Sequence, residues 1–103
     1  MKVEQIGLML YKKGWLVLGL VNNYALCKAG LSKTCLEISA RRGNFQISII
    51  AGATGNNSEP KTPSEEYDEV EIMVSKGEKD RYMQYIDEES LREVIKAPSK
   101  YVA

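Results

Sequence analysis

Six basic residues stand beside three glycines in this chain: Lys12 and Lys13 before Gly14, Arg41 and Arg42 before Gly43, and Lys76 and Lys79 around Gly77. Gathered together, such cations attract phosphate or carboxylate groups. Each neutralised phosphate releases a counterion, so affinity of that kind falls steeply with salt. Tyr11, Tyr82 and Tyr85 lie in the flanking apolar runs, where aromatic rings can stack on unpaired bases. Basic residues are also common at loop tips simply because tips are solvated. The chemistry therefore depends on whether the three turns meet.

Other chemistry is poorly served. The chain has no histidine, the commonest general base and metal ligand. It contains no glycine-rich phosphate loop, since the Gly52-Ala53-Thr54-Gly55 stretch lacks the following lysine. Glu65, Glu66, Asp68, Glu69 and Glu71 offer oxygen ligands, but such a series reads first as a solvated face. Cys27 and Cys35 without further soft ligands do not make a zinc site. They read as small semi-buried apolar side chains, with a disulfide as the alternative in an exported protein. No enzyme, metal or cofactor is expected.

Length and charge narrow the classes further. At 103 residues the chain is one domain, 1–103, with ordinary apolar (44%) and charged (27%) content. The net charge is zero, yet residues 1–55 carry seven basic against two acidic residues and the rest seven against twelve. Such asymmetry hints at nucleic acid or an acidic partner. The run 15–21 is too short for a membrane span and fits a secretory signal poorly. Cytoplasmic location is the default, with no membrane partner.

The elements that would position the basic turns follow from periodicity. Residues 6–11 alternate Ile6, Leu8 and Leu10, and 15–21 is apolar at both parities. They predict a first hairpin whose second strand, covered on both faces, lies at the centre of the fold. Residues 36–40 and 45–51 predict a second hairpin with one wet face, and 70–75 with 82–86 a third. In each turn glycine supplies a positive φ. Residues 23–30 suggest a short helix or another strand, and 52–66 a long polar surface loop. Asp87 as N-cap, Glu88 and Glu89 in the first turn and a Leu91-Val94-Ile95 stripe predict a helix over 87–96.

The expected fold is α+β: a largely antiparallel sheet of about six strands built from three hairpins, with the 87–96 helix on one face. In an up-and-down order the basic turns share one end of the sheet. Glu59, Glu65, Glu66 and Asp68 then fall at the other. The expected function is a small non-enzymatic binding protein, an inhibitor or adaptor, docking on another protein through the charged hairpin tips or the 52–66 loop. That build is common on mobile genetic elements. The alternative is a single-stranded nucleic-acid-binding module using the basic rim. A homodimer through strand edges is a third reading.

Overall fold

Apolar residues three and seven apart open the chain, and they form a helix. The computed structural model describes residues 2–22, 34–53, 67 and 69–103. Helix α1 (Val3–Lys12) buries Val3, Ile6, Met9 and Leu10 on one stripe and leaves Leu8 half exposed. The Gln5 side-chain oxygen accepts a hydrogen bond from the Lys2 backbone N–H at 3.4 Å, closing the first turn. This corrects the expected strand over 6–11. The residues Ile6, Leu8 and Leu10 satisfy a period of two, while Val3, Ile6 and Leu10 satisfy 3.6. A sheet that needs a second layer selects the helical solution.

Gly14 has the expected positive φ (81°), but in a different motif. The Gly14 N–H donates to the Tyr11 carbonyl at 3.1 Å and the Trp15 N–H to the Leu10 carbonyl at 2.9 Å. That pair of bonds is the Schellman end of a helix rather than a hairpin turn. Gly43 (φ 59°) and Gly77 (φ 63°) do sit in hairpin turns. Each opens a two-residue loop, closed by the pairs Arg42 with Phe45 and Lys76 with Lys79. Asn44 and Glu78 keep negative φ, the pattern of a type II′ turn.

Five strands follow: β1 (Leu16–Asn22), β2 (Thr34–Arg42), β3 (Phe45–Ala53), β4 (Glu69–Lys76) and β5 (Lys79–Met83). They pair in sequence order, each antiparallel to the next. The α+β class and the antiparallel sheet are as expected, with five strands rather than six because α1 replaces the first. The last hairpin's return strand ends at Met83 and starts earlier than expected. The chain bends after it, and Tyr85 takes a positive φ of 52°.

The sheet buries one face. Leu36, Ala51 and Val70 form one cross-strand rung, Ile38, Ile49 and Ile72 the next, and Ala40, Ile47 and Val74 a third. All nine are buried. Helix α2 (Glu88–Lys96) adds Leu91, Val94 and Ile95 to this core, joined by Tyr67, Trp15, Val102 and the α1 stripe. Its N-cap is Asp87, as the sequence predicts, with the carboxylate accepting from the Ser90 N–H at 2.7 Å. A 3-10 turn (Pro98–Lys100) follows.

Strand β1 is the largest correction. Among the described strands it lies at an edge of the sheet, not at its centre. Leu16, Val17, Leu18 and Leu20 are all 41–58% exposed. The expected helix near 23–30 lies outside the described residues, as do Cys27 and nearly all of the 52–66 loop. Cys35 stands in β2, and Gly52 and Ala53 complete β3.

Candidate functional site

The up-and-down order brings the three basic turns to one end of the sheet. Leu16 pairs with Arg41, Arg42 with Phe45, Phe45 with Lys76, and Lys76 with Lys79. The Arg42, Phe45, Lys76 and Lys79 row lies one step beyond the pair of Leu16 with Arg41, at the start of β1, where α1 ends in Lys12 with Lys13 as its C-cap. With strands about 4.8 Å apart, the six cations lie along one rim.

Three of the six are already occupied. Arg42 Nη1 donates to the Lys13 carbonyl at 2.9 Å and to the Ile95 carbonyl at 3.3 Å, while Nη2 donates to the Lys96 carbonyl at 3.1 Å. Its guanidinium also lies 5.0 Å from the centre of the Trp15 ring. A fixed positive charge thus meets the negative ends of both helices. Arg42 is a structural clasp. Lys79 Nζ donates to the Ala103 carbonyl at 3.2 Å, and Lys76 lies 5.5 Å from the Phe45 ring centre.

Lys12, Lys13 and Arg41 are exposed and carry no hydrogen bond or ion pair from their side chains among the described residues. Arg41 alternates with the buried Ala40 and so lies toward the uncovered face. Lys12 and Lys13 border a groove of about 250 Å³ between the two helices. Met9 and Ile95 supply apolar lining, and Arg92, Glu93 and Lys96 close the far side. Arg92 is held by Glu88 at 3.2 Å across one helical turn. Sequence reasoning missed Lys96 and Arg92 as members of this cluster. They lie some eighty residues from Lys12, and only the packing of α2 beside α1 joins them.

The tyrosines do not assemble. Tyr11, 76% exposed, ends α1 beside the rim. Tyr82 pairs with Met73 farther along β5, and its hydroxyl oxygen accepts from Gln84 Nε2 at 3.0 Å. Tyr85 lies past the strand, next to Ile86, whose N–H donates to the Val70 carbonyl at the opposite end. Glu59, Glu65, Glu66 and Asp68 lie outside the described residues.

The uncovered face of the sheet is mixed. A depression of about 390 Å³ runs between Leu18 and Met73. At its centre Glu37 accepts from the Ser48 hydroxyl at 2.9 Å and from Ser39 at 3.5 Å. Among the described residues no three cysteine or carboxylate side chains converge as a metal site, and no helix is long and apolar enough to cross a membrane. No protein-family model, curated protein or solved structure matches this chain.

Proposed function

We propose that this chain is a small non-enzymatic binding protein, an inhibitor or adaptor, that docks an acidic segment of another protein against its basic rim. The observation that carries the reading is the groove between α1 and α2. Lys12 and Lys13, unpaired among the described residues, line it together with Lys96, Arg92 and a single carboxylate, Glu93, over apolar Met9 and Ile95. An extended peptide that alternates carboxylates with an apolar side chain complements both features. Its charges meet the lysines, and its apolar residue leaves water on the groove floor. The dispersal of Tyr11, Tyr82 and Tyr85 favours this partner over single-stranded nucleic acid, which needs successive rings for successive bases.

The test is a nuclear magnetic resonance titration at low ionic strength with two probes, an acidic peptide of sequence Glu-Glu-Leu-Glu-Asp-Leu-Glu and an oligothymidylate. The peptide is expected to shift the amides of 9–14 and 92–96. Lys12→Glu with Lys13→Glu should weaken that binding by at least about tenfold, equivalent to about 1.4 kcal/mol. Absence of peptide shifts, or tighter binding of the oligonucleotide to the same amides, overturns the reading.

A further inference from the structure

The two edges of the sheet are built differently. Strand β5 is five residues long and carries Lys79, Asp80 and Arg81, with four of its five residues exposed. Short length and alternating charge are how an edge strand is kept from pairing with another chain. Strand β1 has neither device. Leu16–Asn22 contains no charged residue, and Leu16 (58%), Val17 (41%), Leu18 (54%) and Leu20 (46%) are all open to solvent. No described side chain of this strand is buried in the core. A bulge between Val17 and Gly19 interrupts the first half of its pairing with β2, while Gly19–Asn22 pairs regularly. A Cβ added at Gly19 would meet nothing within 4 Å, so another backbone can come close there.

We propose that β1 is a dimerisation edge, which pairs antiparallel with β1 of a second copy of this chain. Charge placement is compatible with that occupant and favours that direction. An uncharged strand opposes no like charges when it meets itself. Arg41 lies beside Leu16 at one end of β1, and Glu37 lies beside Val21 toward the other. Antiparallel pairing about a two-fold axis sends the basic ends of the two copies in opposite directions. Each Arg41 then lies toward the Glu37 end of its neighbour. Parallel pairing would stack both basic rims together. The contact is isologous and closes at two copies, leaving the groove between α1 and α2 free.

A strand of seven residues spans only about 23 Å, so this pairing buries less than the roughly 800 Å² per partner of a stable complex. The dimer should therefore be reversible and concentration dependent. Analytical ultracentrifugation of the full chain from about 1 µM to about 1 mM is expected to show the 11.6 kDa mass giving way to twice that value. Leu18→Lys with Leu20→Lys should shift the midpoint by at least about tenfold. Hydrogen exchange on the unaltered protein gives a second readout. Protection at 16–22 should rise with concentration while 79–83 stays unchanged. A monomer throughout the range, a dimer indifferent to the lysine substitutions, or concentration-dependent protection at 79–83 instead overturns the proposal.

Discussion

The indole N–H of Trp15 donates to the carbonyl of Ile95 at 2.9 Å, joining residues 80 positions apart. Trp15 is 3% exposed and Ile95 is 1% exposed, so this bond lies in the core where the two helices end. Arg42 covers it, donating to the same carbonyl and to both helix termini. These bonds hold the start of β1 against the end of α2.

Trp15→Phe keeps an aromatic ring, though a smaller one, and removes the donor. Buried polar groups left short of a partner cost about 1–3 kcal/mol. Arg42 still reaches the Ile95 carbonyl, but the smaller ring also leaves a buried void, so the loss should be about 2 kcal/mol. Chemical denaturation of the variant should show a lower midpoint with an unchanged slope.

Arg41 and Arg42 are adjacent and should behave oppositely. Arg42→Ala removes three charge-assisted bonds and the cation over Trp15, a loss of about 2–3 kcal/mol. Arg42→Lys should not restore it, because an ammonium cannot span three carbonyls as the planar fork does. Arg41→Ala should stay within about 0.5 kcal/mol of the parent. Thermal melting of the three variants checks the ordering.

Helical and extended readings of 3–12 differ sharply at Leu8. In the helix Leu8 is 51% exposed while Ile6 and Leu10 are fully buried. Leu8→Lys should therefore cost less than about 0.5 kcal/mol, and Leu10→Ala about 2–5 kcal/mol. A strand would put 6, 8 and 10 on one face and penalise all three alike.

Tyr85 holds a backbone conformation that disfavours a side chain, at φ 52°. It is also 61% exposed, so its ring gains little from packing. Tyr85→Gly should raise stability by about 0.5–1 kcal/mol, read as a higher melting temperature.

Asp87 titrates below the usual carboxylate range because the Ser90 backbone N–H, and then the Ser90 hydroxyl, stabilise its charged form. A lowered folded-state value means that the cap contributes fully above the unfolded-state value, about 3.9. It is lost as pH falls through the folded value. Asp87→Asn keeps a capping oxygen but cannot titrate. The parent should be the more stable protein at pH 7, and the difference should shrink below about pH 4. Melting temperatures across pH 2.5–7 follow it.

Local signals in the sequence were legible where one physical solution existed. Asp87, Glu88, Glu89 and the Leu91-Val94-Ile95 stripe match a helix and nothing else. Gly43 and Gly77 mark II′ turns between alternating strands. Gly14 shows the limit, since a positive φ serves a helix end as well as a hairpin. The apolar run at 15–21 misled for a related reason. Hydrophobicity at both parities indicates faces that await a cover, and it does not say that the same chain supplies it.

The sequence by itself determined the α+β class, the second and third hairpins, the capped C-terminal helix and the presence of three basic turns. These rest on interactions between residues a few positions apart. Tertiary structure decided that α1 is helical, that β1 lies at an edge, and that Arg42 clasps the helices while Lys12 and Lys13 remain open beside Lys96. Those outcomes depend on which surfaces meet, and contacts between distant residues leave no periodicity in the chain to read.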